Sequence, residues 1–166
     1  MTNSKQFKKL INVNIDEFTK QIPKLGSILG LDLGEKRIGI AISDINRSFA
    51  TGLKILNRGK LANDINTIDN IISENNISAI IVGRPVNIDG KPGRKSQSIR
   101  RLSEEINKTL KLPLLLWDER FSSQAVEKMM INDLDLSRDK RKKIMDSSAA
   151  CWILEGALKR MQINKN

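Results

Sequence analysis

The segment that most constrains this chain is Ile28-Leu29-Gly30-Leu31-Asp32-Leu33-Gly34-Glu35-Lys36-Arg37-Ile38-Gly39-Ile40-Ala41-Ile42-Ser43-Asp44. It reads as two strands joined by a tight polar turn. Ile38, Ile40 and Ile42 share one face while Gly39, Ala41 and Ser43 share the other, the period-2 pattern of a half-buried strand. The first strand is nearly all apolar, as in a strand covered on both faces. Asp32 interrupts it. A lone carboxylate is costly to bury, so Asp32 either satisfies backbone donors at a strand end or binds a cation. The motif alone leaves the two readings balanced.

What the chain lacks narrows the chemistry. Its 166 residues contain no histidine, no tyrosine and one cysteine, Cys151. Ser-His-Asp and Cys-His catalysis, histidine-ligated zinc, an internal disulfide and a cysteine-built zinc site are therefore excluded. Any hydrolytic chemistry must come from carboxylates, with or without a hard, oxygen-preferring ion such as Mg²⁺ or Mn²⁺. The length suits one domain with a full core. No apolar run approaches the roughly 18 residues of a membrane span, and the N-terminus lacks a signal-peptide core. The expectation is a cytoplasmic protein with no membrane partner.

The net charge is +10, from 29 Lys and Arg against 19 Asp and Glu. Two stretches hold most of the excess. Arg84, Lys91, Arg94, Lys95, Arg100 and Arg101 face one acid, Asp89, and Arg138, Lys140, Arg141, Lys142 and Lys143 face one acid, Asp139. Either run alone would pass for a solvated face. Two such runs in an otherwise near-neutral chain favour a polyanionic partner, nucleic acid first.

Taken in order, residues 1–26 form an N-terminal extension in which Phe7, Ile11, Ile15, Phe18 and Ile22 predict an amphipathic helix docked on the body. Asn12 and Asn14 weaken that helix, and Pro23 stops it. A domain over residues 27–162 follows, with a short tail at 163–166. After the opening hairpin a third strand is predicted over Phe49–Leu56, then a helix with Leu61, Ile65, Ile68 and Ile72 on one face. Ala79-Ile80-Ile81-Val82 is a short continuous apolar strand. It leads into a Gly- and Pro-rich loop from Gly83 to Gly93. The next helix presents Ile99, Leu102, Ile106 and Leu110 inward and its basic residues outward. Leu112–Trp117 is the last strand. Ser122 or Ser123 caps a helix running through Met130, followed by a basic loop and a final helix over about Ile144–Met161. This order predicts an α/β fold: a mixed five-stranded sheet, an antiparallel meander plus parallel strands, flanked by helices.

Sites in open α/β sheets form at the carboxyl ends of parallel strands. Asp32 ends the first strand and Asp118 the last, so the two acids are expected to share a rim. Glu119 is adjacent to Asp118, and if the strand continues only one of them faces the site. Asp146 shares a helix face with Ala149, Ala150, Ile153 and Ala157, whose small side chains permit close approach to the sheet. Taken alone, Asp146 is better explained as a carboxylate favouring a helix N-terminus.

Four ordered motifs carry a resemblance: Gly30-Leu31-Asp32-Leu33-Gly34-Glu35-Lys36-Arg37-Ile38-Gly39-Ile40-Ala41, Val82-Gly83-Arg84-Pro85, Asp118-Glu119-Arg120-Phe121-Ser122-Ser123 and Asp146-Ser147-Ser148-Ala149-Ala150. Together, over about Ser27 to Lys159, they are similar to the motif series of the bacterial pre-16S ribosomal RNA nucleases, also called Holliday-junction-resolvase-like. That resemblance implies an RNase H-like fold and metal-assisted phosphodiester hydrolysis in ribosomal RNA maturation. The acidic site would fall on Asp32, on Asp118 or Glu119, and on Asp146, holding two Mg²⁺ or Mn²⁺ ions about 3.5–4 Å apart. Asp32 would be the bridging ligand. Lys36, Arg37 and Arg120 match the family's basic positions and would hold flanking phosphates. Arg84, Arg94, Arg138, Arg141 and Lys142 would add to the nucleic-acid footprint. The implied partners are precursor ribosomal RNA or another structured nucleic acid, and the small ribosomal subunit, with the protein a monomer or homodimer. Arg84 stands where a Leu is common in the family, and Ser122 and Ser123 where threonines are common; no acid is lost.

Three rival readings stand beside this one, the first of them also a nuclease. A Holliday junction resolvase would act on four-way DNA junctions as a dimer. A non-catalytic RNase H-like module would bind nucleic acid without cutting it, which retention of every acid argues against. An ATPase of the actin and sugar-kinase type opens on a similar Asp-Leu-Gly hairpin. It needs a second phosphate loop and an adenosine motif, which are absent here, and two domains, for which this chain is too short.

Overall fold

The period-2 segment from Ser27 to Ser43 does form a hairpin, and the rest of the sheet assembles on it. The computed structural model describes residues 10–87, 89–118 and 138–165, with side chains of the last segment described from Ala149. In chain order the elements are β1 (Ile11–Asn12), α1 (Ile15–Gln21), β2 (Ser27–Leu33), β3 (Arg37–Ser43) and β4 (Ala50–Asn57). They continue with α2 (Leu61–Glu74), β5 (Ile77–Arg84), α3 (Arg94–Leu110), β6 (Leu114–Asp118) and α4 (Arg138–Ile163). The strands make one sheet in the order β1-β6-β5-β2-β3-β4. β2, β3 and β4 are the antiparallel meander, while β2, β5, β6 and β1 run parallel.

The sheet thus has six strands, where the sequence predicts five. The added strand comes from the N-terminal segment, whose expected helix is broken in two. Asn14 is the reason. Its Oδ1 accepts from the backbone N–H of Asp16 at 2.8 Å and of Glu17 at 3.3 Å, capping α1 and leaving Asn12 outside it. Asn12 instead pairs its amide with Gln21 at 3.0 Å, and its backbone joins β6. The helix ends before Pro23, as predicted, with Ile22 extended. Phe7 lies outside the described residues. A second difference concerns the run from Arg138 to Lys143, predicted as a loop. It lies within α4, since Arg and Lys are good helix formers and nothing in the run stops a helix.

Side-chain alternation sorts the core into two layers. Leu29, Leu31, Leu33, Ile38, Ile40, Ile80, Val82, Leu114 and Leu116 pack beneath α2 and α3, against Ile65, Ile68, Ile99 and Ile106. Ile28, Ala41, Ala79, Ile81 and Leu115 pack on the other face. There they meet Phe18 and Ile22 of α1 and Ala150, Leu154, Ala157 and Leu158 of α4.

Candidate active site at the carboxyl rim of the parallel strands

β2, β5 and β6 are mutually parallel, so Asp32 and Asp118 lie on one rim of the sheet, as expected. Their faces differ. Along β2, Leu29, Leu31 and Leu33 belong to the α2/α3 layer, which puts Gly30 and Asp32 on the α4 side. In register, Gly83 pairs with Trp117 and Arg84 with Asp118. Continuing the β2–β5 register by one residue sets Asp32 level with Gly83 and Trp117. Asp118, one position on, alternates to the opposite face, together with Leu33 and Arg84. Asp32 and Asp118 are both half-buried.

The helix facing Asp32 is α4, and Gly30 sets its distance from the sheet. A Cβ on Gly30 would sit 2.8 Å from Leu154 Cβ and 3.0 Å from the Ala150 carbonyl oxygen. α4 is tied at its far end, where Gln162 Nε2 donates to the Arg47 carbonyl at 3.0 Å. Arg47 in turn donates to the carbonyls of Gly26 at 2.8 Å and Pro23 at 2.7 Å, at the amino end of β2. The N-terminal half of α4 therefore points toward the carboxyl rim. Position 146 precedes Ala150 by one turn, about 6 Å, and Asp32 follows Gly30 by two residues, about 6.6 Å. The two positions come level on facing elements.

A two-residue turn, Glu35-Lys36, follows Asp32 on the same rim, its end closed by the Gly34 N–H donating to Arg37 O at 2.9 Å. Glu35, Lys36 and Arg37 are exposed. Arg58, which no motif in the sequence singles out, holds this turn. Its backbone N–H donates to Lys36 O at 2.9 Å, and Nη1 donates to Gly34 O at 3.0 Å. With Arg94 and Lys95 it lines a cavity of about 360 Å³ beside Leu33 and Leu102. Only knowledge of the fold could have found Arg58, because it lies 24 residues from Gly34. Within the first basic stretch, Arg94, Lys95, Arg100 and Arg101 are exposed, and Arg100 pairs with Glu104 at 3.5 Å.

Glu119, Arg120, Ser122, Ser123 and the helix expected through Met130 lie outside the described residues, as do the side chains of Arg138, Arg141, Lys142 and Asp146. Among the described residues no three acids, cysteines or histidines gather as a metal site; two of the four proposed acids are not among them. Cys151 is half-buried. Burial, then the nearby Glu155 charge, raises its thiol above the ordinary range, and Sγ donates to Ala50 O at 3.3 Å.

A mixed sheet with a meander edge, helices on both faces and acids at the carboxyl rim defines an RNase H-like fold. The Thermus thermophilus RuvC resolvase solved in complex with a Holliday junction substrate shares it, with a TM-score of 0.53 at 13% identity, covering 82% of this chain and 96% of that one. Residues 26–160 match the family model RuvX, described as Holliday junction resolvase. This chain belongs to that family. A Rhodobacter capsulatus relative named "Putative pre-16S rRNA nuclease" is 40% identical over 152 residues, covering 92% of this chain and 95% of its own length. A Chelativorans relative of the same name is 43% identical over 150 residues, covering 90% and 93%.

Proposed function

We propose that this protein is a divalent-metal-dependent endonuclease that hydrolyses phosphodiester bonds in the precursor of 16S ribosomal RNA, acting in the cytoplasm during ribosome biogenesis. The observation that carries this reading is the placement of Asp32: at the carboxyl rim, on the face of β2 that meets α4, level with position 146. The names of the relatives supply the substrate class.

The donor set suits the ion. Asp32, Glu119 and Asp146 are hard oxygen ligands in a chain without histidine, the chemistry that Mg²⁺ or Mn²⁺ prefers. Asp118 lies on the face of the sheet opposite Asp32, which favours the adjacent Glu119 as the second acid. Asp32, on the central strand β2, and Asp146 would hold the ions together with it. Bound there, two ions would activate the attacking water and stabilise the leaving oxygen of an in-line displacement. The protein's own part is to hold the substrate. Lys36 and Arg37 on the turn that Arg58 braces, Arg94 at the start of α3, and Arg120 hold phosphates flanking the scissile one.

Asp32→Asn tests the reading. It conserves size and removes the charge that makes the position a strong ligand. Cleavage of precursor ribosomal RNA with Mg²⁺ or Mn²⁺ is expected to fall by orders of magnitude while affinity and melting temperature hold or rise, since a carboxylate facing other carboxylates is removed. A folded Asp32→Asn protein cutting at the wild-type rate overturns it. Running four-way DNA junctions beside the precursor separates this function from that of a junction resolvase, the description attached to the family model.

A further inference from the structure

A groove of about 590 Å³ runs along the outer edge of β6, beside the flank of α4. Its walls include Trp117, Ile15, Val13 and Ile163; Val13 and Ile163 are 58% and 64% exposed. Among the described residues, three cations, Arg84, Lys159 and Arg160, reach the same groove against one acid, Asp118. Lys159 and Arg160 are exposed. Among the described residues, Arg84 Nε is buried with no hydrogen-bond partner. Trp117 packs part of its surface on the α1/α4 core layer and is half-buried.

The groove adjoins the candidate active site. Trp117 lies on the same face and at the same level as Asp32, two strands across, about 10 Å at ordinary strand spacing. The residue between them in register is Gly83, which has no side chain.

We propose that this groove receives an unpaired base of the nucleic-acid strand being cut, stacked on Trp117, with its neighbouring phosphates on Lys159 and Arg160. The inference rests on the nuclease reading above and adds to it the form of substrate: single-stranded on the β6 side of the scissile bond. An aromatic floor rimmed by cations is the chemistry of single-strand recognition, in which stacking contributes about 1–3 kcal/mol per base and is tolerant of sequence. A duplex cannot use it, because its base faces are already covered. An acidic peptide would satisfy the cations and leave the apolar floor bare.

The chain has two tryptophans, Trp117 and Trp152, so a Trp152→Phe protein reports on Trp117 alone. Titration with a short oligouridine in EDTA is expected to quench its fluorescence, while a blunt duplex does not. Trp117→Leu should weaken oligouridine binding roughly tenfold and leave duplex binding unchanged, with Trp117→Phe restoring much of the affinity. A strand of abasic residues should bind wild type and Trp117→Leu alike. Should Trp117→Leu fail to fold, the double variant Lys159→Ala/Arg160→Ala, at exposed positions, is expected to flatten the log–log salt dependence by about 1.4, at about 0.7 per single-strand phosphate. Equal quenching by the abasic strand overturns the proposal, as does an equal drop in single-strand and duplex affinity in Trp117→Leu. Neither readout depends on cleavage, so failure here and failure of the nuclease reading are separate results.

Discussion

At the residue scale, Gly30 decides whether the acids can meet. A methyl group there would overlap Leu154 Cβ and crowd the Ala150 carbonyl, and neither can withdraw without moving α4. Gly30→Ala is expected to cost about 1–3 kcal/mol in urea unfolding. It should also lower cleavage further than the smaller folded fraction explains, because position 146 shifts relative to Asp32. Gly59→Ala is the control. A Cβ there meets only Asp64 Oδ1 at 3.8 Å, an ordinary van der Waals distance, so both stability and cleavage should stay near wild type. If Gly30→Ala matches Gly59→Ala in both assays, α4 is not seated as described.

At the element scale, the β1–α1 segment is bound into the body through both its strand and its helix. β1 covers part of the outer edge of β6, with Leu114 N–H donating to Leu10 O at 2.8 Å. α1 buries Phe18 completely. At seven residues this helix is too short to persist alone, so its stability is that of the packing. Phe18→Ala should cost about 3–5 kcal/mol, roughly 6–20 °C in melting temperature for a chain of this size, read by circular dichroism. Cleavage measured well below the melting point should be unchanged, because Phe18 is a buried core residue that carries no chemistry of the site. An unshifted melting curve would show that the segment is dispensable to the core.

At the scale of the whole molecule, the two basic stretches converge on one end. The first begins at Arg84, the carboxyl end of β5, and continues through the first turns of α3. The second opens α4, whose N-terminal half points toward the same rim. The excess charge of the chain is thereby gathered around the candidate site. Replacing Arg138, Arg141 and Lys142 together with Ala should weaken binding to RNA and DNA alike. For every phosphate no longer neutralised, the salt slope should fall by about 0.7–0.9, measured by titration at several salt concentrations. An unchanged slope would show the second stretch to be a solvated helix face.

The sequence by itself determined what near neighbours decide. Alternation of Ile38, Ile40 and Ile42 set the hairpin's faces, the apolar run at Ala79–Val82 marked a central strand, and Pro23 ended the first helix. The interrupting Asp32 announced the rim. Tertiary structure alone decided what depends on residues distant in the chain. A two-residue strand carries no readable period, and β1 exists because β6 offers it an edge. Arg47, a residue type that is ordinarily exposed, is 5% exposed because the carbonyls of Pro23 and Gly26 and the Ser78 hydroxyl converge on it. The small side chains of α4 signalled a close approach, but only the fold shows that Gly30 is the surface approached. Periodicity reports the local environment of each residue. The bonds that seat Arg47 and α4 instead span 21 positions to Gly26 and 115 to Gln162, and such distances close only once the topology is set.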